Sequence, residues 1–230
     1  MELIAELNPP RDPVRLLEIA ERFSEVFDWI DIPDAPLGKP NYNSPVVAAY
    51  LVSRGFRVIA HLRVSDVNTI ALKTITKTLG SLGVPRIVYL KGDPPQQGSS
   101  VEDFTPEDAV YYARSRPEAP EPGLLLSLRK GIEAIRNRLN VPAGFYFVLN
   151  YDWEKGSNIE LLKNVSALAR SMDKKLYAYL IIPGEICSQP GRVSSLTNQV
   201  TELVDGIVFS APHSVDCIVE CGRIARDSIS

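Results

Sequence analysis

Residues 86–95 read Arg-Ile-Val-Tyr-Leu-Lys-Gly-Asp-Pro-Pro, an apolar run that ends at Lys91 and Gly92 and is followed by an acid and two prolines. A short apolar run of this kind predicts a strand covered on both faces, as in a parallel sheet. Gly92 permits a close approach of the backbone, and the prolines cannot continue a hydrogen-bonded ladder. The strand therefore places Asp93 just beyond its carboxyl end, where α/β folds have their functional residues.

The same pattern recurs along the chain, because apolar runs alternate with longer segments of helical period. Such alternation predicts βαβ units and a parallel sheet. Seven strands are predicted, at 3–7, 29–33, 57–64, 87–90, 145–149, 176–182 and 206–209. Helices are predicted in the wake of the strands, among them 68–82, 124–139 and 213–227.

Seven strand and helix pairs favour a (β/α)8 TIM-type barrel over a doubly wound sheet, which usually stops at about five or six strands. The count is one strand short, so the eighth strand is expected to be degenerate, with 123–127 as its candidate position, or missing. The chain of 230 residues is predicted to form one barrel domain over 1–230. No GxGxxG or Walker sequence is present, which weakens the nucleotide-binding alternative.

The composition argues against several classes of function. The net charge of −3 provides no basic field for nucleic acid or an anionic membrane surface. No run approaches the roughly eighteen apolar residues of a membrane span, and no secretory signal is visible, so a cytoplasmic protein is expected. With three cysteines and two histidines in the chain, neither a disulfide scaffold nor a metal site is predicted.

In a barrel the carboxyl ends of the strands share one face, so the polar residues at these ends are expected to converge across the mouth. They are Glu6, Asp34, His61, Arg63, Asp66, Lys91, Asp93, Asn150, Asp152 and Glu185. Glu6 follows directly on an apolar run, a setting that raises a carboxyl pKa for general acid work. An ion pair with Arg11 is the alternative. For His61, a hydrogen-bonded core histidine is the alternative to a catalytic one.

Three motifs resemble one enzyme family in their order and spacing. They are Glu6-Leu-Asn-Pro-Pro-Arg11, Ala60-His-Leu62 followed by Asp66-Val-Asn68, and Leu90-Lys-Gly-Asp-Pro-Pro95, with Asp34-Ala-Pro-Leu-Gly38 as a further likeness. On these residues the chain resembles the methylenetetrahydrofolate reductases, which are FAD-linked (β/α)8 barrels. The likeness covers residues 1–95. The family's glutamine-bearing strand has no counterpart at 176–183, and the segment around 161–163 lacks the family's usual pattern.

The resemblance implies flavin-dependent reduction of a methylene-carrying reduced pterin, such as 5,10-methylenetetrahydrofolate, to the methyl form. Glu6 matches the family's acid, and Asp93 matches the acidic residue beside the flavin and the pterin. Contacts with FAD are implied for Asp34, His61, Asp66, Lys91 and Gly92. Lys163 is a candidate contact with the flavin phosphates, although its segment lacks the family's usual pattern. The electrons would come from NAD(P)H or a redox protein.

Two other interpretations stay open. The first is a non-redox pterin-binding or complex-forming barrel that kept Glu6 and Asp93 but lost flavin, which the altered second half favours. A homo-oligomer or a partner subunit is compatible with either function. The second is a hydrolase or aldolase on the same scaffold, and an aldolase would require Lys91 to form a Schiff base.

Overall fold

The computed structural model describes residues 1–183, 186, 189–212 and 214–229. Within these residues, eight parallel strands pair in chain order, and the last pairs with the first to close a barrel. The strands are β1 (Glu2–Glu6), β2 (Trp29–Ile32), β3 (Val58–Arg63), β4 (Arg86–Leu90), β5 (Glu121–Ser127), β6 (Phe145–Leu149), β7 (Lys175–Ile181) and β8 (Gly206–Ser210). The predicted (β/α)8 barrel is confirmed.

An α-helix follows each strand and packs on the outside of the barrel. The helices are α1 (Pro13–Ser24), α2 (Ser44–Val52), α3 (Thr69–Ser81), α4 (Pro106–Arg114), α5 (Ile132–Leu139), α6 (Ile159–Ser171), α7 (Pro190–Val200) and α8 (Val215–Ile229). Several begin at polar side chains that accept a hydrogen bond from the first turn: Asp12 accepts from the Val14 N–H, and Asn68 accepts from the Ala71 N–H. None of the described helices combines the length and the apolar character needed to cross a bilayer.

The expectation of a degenerate or missing strand is corrected by β5. This strand is seven residues long and pairs with both β4 and β6, and it contains the candidate position 123–127. The predicted helix over 124–139 is therefore wrong in its first half, since α5 begins only at Ile132. The run Leu124-Leu125-Leu126 suits a helix as well as a buried strand, and pairing with the neighbouring strands decides between them.

The interior of the barrel is filled by one ring of large side chains. Its members are Ile4, Trp29, Ile59, Val88, Phe145, Phe147, Tyr177 and Val208. Gly123 on β5 leaves the space that the ring of Phe145 fills, because a Cβ there would lie 2.3 Å from that ring. Side chains alternate along a strand, so the residues two positions further along also point into the barrel, at its carboxyl end.

Five charged and aromatic residues meet at the amino end of the barrel. Arg86 donates to Glu2 at 3.3 Å, to Glu121 at 3.1 Å and to the Tyr177 hydroxyl at 3.1 Å. Its guanidinium also lies 4.0 Å from the centre of the Trp29 ring. Tyr177 in turn donates to Glu2. The buried arginine thus has its charge paired and its Nε and Nη1 groups hydrogen-bonded at this end.

Candidate functional site

The carboxyl end of the barrel brings four polar side chains together above the apolar ring. Glu6, Asp31, His61 and Ser210 each follow an inward-facing residue of the ring by two positions on their own strand. The strand register places Glu6 of β1 directly beside Asp31 of β2. Two carboxyl groups therefore share one level of the barrel mouth, and a histidine and a hydroxyl lie next to them.

Asp31 and His61 form a buried pair. The Nε2 atom of His61 lies 2.8 Å from Oδ1 of Asp31, and the two side chains are 6% and 0% exposed. Apart from this contact, neither Asp31 oxygen has a partner among the described residues. Burial alone would lower the pKa of His61, but the nearby carboxyl groups of Asp31, Glu6 and Asp34 outweigh it and raise that pKa.

Glu6 carries a carboxyl group whose pKa lies close to neutral pH. Burial raises its pKa to about 7, and the charge of Asp31 acts in the same direction. Glu6 Oε1 accepts a hydrogen bond from Ser210 Oγ at 2.6 Å and another from Asn8 Nδ2 at 3.4 Å, and both bonds oppose the rise in its pKa. Among the described residues Glu6 makes no ion pair with Arg11. Glu6 can therefore give or take a proton near neutral pH.

Arg63, at the end of β3, forms hydrogen bonds with the loops that follow β2, β3 and β4. Its buried guanidinium donates to Asp66 at 2.7 Å, to the Ala35 carbonyl at 3.1 Å and to the Asp93 carbonyl at 2.9 Å. Its backbone N–H donates to Asp34 Oδ2 at 3.0 Å. Burial raises the pKa of Asp34 despite this bond. Asp34 and Asp66 thus shape the rim of the mouth through Arg63.

Gly92 is the point at which the third of these loops passes the Arg63 guanidinium. Its φ is +74°, and a Cβ placed there would lie 2.6 Å from Arg63 Nη1. The close backbone approach expected of Gly92 is therefore present, and its neighbour is the side chain of Arg63. Lys91 and Asp93 on either side are exposed, with the Lys91 carbonyl accepting from Ser65 Oγ at 2.9 Å.

The remaining sequence candidates lie apart from this group. Lys163 lies on α6, where its ammonium pairs with Glu160 at 2.6 Å and is 52% exposed. Asn150 and Asp152 organise the loop after β6, since Asn150 donates to Ser127 and Asp152 accepts from the Lys155 N–H. Glu185 lies outside the described residues. The flavin contacts implied for Lys163 and the loop residues stay predictions, as does the catalytic role of Asp93.

Sequence reasoning missed Asp31 and Ser210. Asp31 carried a readable signal, because it is the one charged residue in the buried strand Trp29–Ile32. A carboxylate in such a strand has to be paired or hydrogen-bonded to be tolerated. Ser210 carried no comparable signal, since a serine after an apolar run is also an ordinary strand end.

A groove of about 690 Å³ opens from Glu6 and Asn8 and runs between α1 and α8. Glu6 is the innermost ionisable residue of its lining and the link between the barrel mouth and the groove. Within the described part of the chain, no group of three or more His, Cys, Asp or Glu side chains is arranged to hold a metal ion. The arrangement is one of acid and base groups beside a cavity large enough for a small organic ligand.

Comparison with known proteins locates this barrel among solved structures. No protein-family model matches the chain, and no curated protein matches it. The solved structures that it resembles include tryptophan synthase α-subunits. One, a mutant α-subunit from the hyperthermophile Pyrococcus furiosus, has a TM-score of 0.69 at 13% identity, over 99% of this chain and 97% of that one.

Two further solved structures are similar over nearly the whole chain. Tryptophan synthase from M. tuberculosis has a TM-score of 0.67 at 12% identity, over 99% of this chain and 92% of that one. An uncharacterised protein from Clostridium thermocellum that binds two copies of 5-methyl-5,6,7,8-tetrahydrofolic acid has a TM-score of 0.68 at 13% identity, over 99% and 95%. At these identities the likeness is one of fold.

These findings correct the assignment made from sequence. The identification as a methylenetetrahydrofolate reductase is wrong, and so is the oxidoreductase activity that it implied, because the structural likeness is to tryptophan synthase α-type barrels and no reductase family model matches. The motifs that suggested it have structural reasons to be present. Gly92 and Asp66 accommodate Arg63, and the prolines after Asp93 end a buried strand.

Proposed function

We propose that this protein binds a reduced pterin at the carboxyl mouth of its barrel and carries out no flavin chemistry there. The observation that carries the proposal is the position of the Glu6 carboxyl group, which lies next to the buried pair of Asp31 and His61 and lines a groove of about 690 Å³. Its pKa is raised to about 7. A planar ligand rich in N–H groups is the chemical partner that such a site suits.

The pterin ring presents two adjacent N–H donors on its pyrimidine edge, and a carboxylate accepts such a pair with both oxygens. Glu6 is the carboxyl group that faces the groove, and Ser210 and Asn8 already orient one of its oxygens. Asp31 is fully buried and adds negative charge behind Glu6, while His61 offsets it. The group therefore favours a neutral or weakly basic ring with N–H donors over an anion at this position.

The Clostridium thermocellum protein supports the choice of ligand class, since it has the same fold and binds a methylated reduced folate. Asp93 lies on the same rim, and its backbone carbonyl is fixed by Arg63. Both acids that the sequence predicted for pterin contact are thus at the same end of the barrel. No contact joins their side chains within the described residues.

The test is anaerobic calorimetric titration of the purified protein with 5-methyltetrahydrofolate. Binding is expected for the unmodified chain, and Glu6→Gln is expected to weaken it by roughly 10- to 100-fold, because a charge-assisted pair of hydrogen bonds is lost. Glu202→Gln is the matched control, since Glu202 is exposed and lies just before β8, at the opposite end of the barrel. Absence of binding to the unmodified chain would overturn the proposal.

FAD stays a prediction from the sequence, and it is separately measurable. A visible absorbance spectrum of the protein, before and after incubation with FAD, reports whether flavin binds. The proposed function expects no flavin absorbance after removal of free FAD. A stoichiometric flavin spectrum would contradict the non-redox part of the proposal and leave the pterin titration to be judged by itself.

A further inference from the structure

We infer that the groove between α1 and α8 binds the anionic tail of the ligand whose ring lies at Glu6. This inference rests on the proposed function and names the chemical class of ligand more closely: a reduced pterin that carries an extended, carboxylate-bearing substituent. The observations that carry it are the volume of the groove, its apolar base and two arginines that form no ion pair with a carboxylate of the described residues.

The groove has an apolar base. Leu7, Ile19, Phe23 and Ile218 line it, and each of these side chains is less than a tenth exposed. Glu6 and Asn8 lie at its inner end. A ring at Glu6 would therefore be followed by an apolar channel, which suits an aromatic or aliphatic linker in the ligand.

The rim of the groove is charged and exposed. Arg22 and Asp216 pair with each other at 2.5 Å across α1 and α8. Asp12 accepts the Val14 N–H at 2.9 Å as the cap of α1. Arg11 and Arg15 also line the groove, and neither forms an ion pair within the described part of the chain. These two guanidinium groups are available to a ligand carboxylate.

Glu18 is the charge on the rim that opposes this role. It lies three residues after Arg15 on the same helix, is exposed and has no ion pair among the described residues. Its carboxylate repels an anionic tail and weakens the field of the two arginines. We therefore expect that loss of the Arg15 charge weakens binding of the tail and that loss of the Glu18 charge strengthens it.

The size of the groove also favours a ligand longer than one ring. Small-molecule sites typically measure about 300–1,000 Å³ and bury most of their ligand. At about 690 Å³ the volume of the groove is larger than a bicyclic ring bound at one end would occupy. A tail that reaches Arg11 and Arg15 would use the rest.

The experiment compares two ligands, 5-methyltetrahydrofolate with its carboxylate tail and 6-methyltetrahydropterin without one, by anaerobic calorimetry. Arg11→Gln and Arg15→Gln are each expected to weaken the folate by roughly 3- to 10-fold, since the contact is partly solvent-exposed, and to leave the tail-less pterin unchanged. Glu18→Gln should tighten the folate alone by roughly 2- to 3-fold at low salt. Arg136→Gln is the matched control, an exposed arginine on α5.

The outcomes separate the inference from the proposed function. If the two arginine variants weaken both ligands equally, or neither, the groove does not hold the tail and the inference is overturned, while the pterin site stands. If neither ligand binds the unmodified chain, the proposed function itself is overturned. Tighter folate binding by the unmodified chain than pterin binding, lost in the double arginine variant, is the result expected.

Discussion

At the scale of single residues, the protonation of Glu6 links the site to the stability of the fold. Its pKa in the folded chain is raised from 4.5 to about 7, so the folded state holds this proton more tightly than the unfolded state does. The resulting stabilisation is complete below about pH 4.5 and is lost as the pH rises through about 7. His61 acts in the same direction, because its raised pKa also means that stability is lost as its proton leaves.

Glu6→Gln is expected to flatten this pH dependence. A shift of this size corresponds to about 3 kcal/mol of unfolding free energy between the two ends of the window, and glutamine cannot ionise. Urea denaturation at about pH 5 and about pH 8 measures the difference for the unmodified chain and the variant. Glu202→Gln should keep the dependence of the unmodified chain. An unmodified chain with equal stability at both pH values would contradict the raised pKa.

The residues of the site differ in how readily a sequence discloses them. Glu6 and His61 could be found because each follows three consecutive apolar residues of a predicted strand. Asp31 was missed because β2 is only four residues long, so its alternation is too short to show which side chains face the barrel interior. The pairing of Glu6 with Asp31 depends on the register between two strands, which the sequence does not contain in readable form.

At the scale of elements, the rim of the mouth is built by loops that all contact one side chain. Arg63 holds carbonyl or carboxylate groups from the loops after β2, β3 and β4. Such a buried arginine is stabilising only because every neighbouring group is an acceptor. The loop with Gly92 can approach it closely because glycine has no Cβ and tolerates a φ of +74°.

Gly92→Ala is therefore expected to destabilise the protein by more than a comparable glycine substitution nearby. The backbone strain costs about 1 kcal/mol, and displacement of the Arg63 guanidinium adds about 1–2 kcal/mol. Gly98→Ala is the matched control, since Gly98 also has a positive φ of 79° but nothing within 4 Å of an added Cβ. Urea denaturation compares the two. Equal losses would show that the Arg63 contact adds nothing.

Element types could be predicted from the sequence where the apolar period was clear. The helix predicted over 68–82 corresponds to α3, and the seven predicted strands are present. Within α3 the apolar period matches burial only in part, since Leu72 and Leu79 are buried and Ile70 is exposed. The β5 segment is the exception. Its leucines fit either structure, and only hydrogen bonding to β4 and β6 makes it a strand.

At the scale of the whole molecule, the barrel separates a structural end from a chemical end. Arg86 and its partners Glu2 and Glu121 lie at the amino end and contact Tyr177 of the apolar ring, whereas Glu6 lies above the ring. Burial raises the pKa of Glu2, but the Tyr177 hydroxyl and Arg86 outweigh it and lower that pKa.

Arg86→Gln is expected to cost about 3 kcal/mol of unfolding free energy, because Glu2 and Glu121 lose their common cation in a largely buried setting. The affinity of the folded variant for 5-methyltetrahydrofolate should remain that of the unmodified chain. Denaturation and calorimetry on the same preparation check both parts. A change in affinity of more than about threefold would mean that the two ends are energetically coupled.

The packed interior of the barrel also affects how the Glu6 carboxyl group exchanges its proton with water. The apolar ring packs beneath Glu6, and Glu6 lines the groove, which gives its carboxyl group an opening to solvent. A ligand seated there would occupy the same opening that the proton uses. A bound ligand would then slow the exchange of the Glu6 proton with water, so proton exchange at this carboxyl group would depend on how fast the ligand leaves.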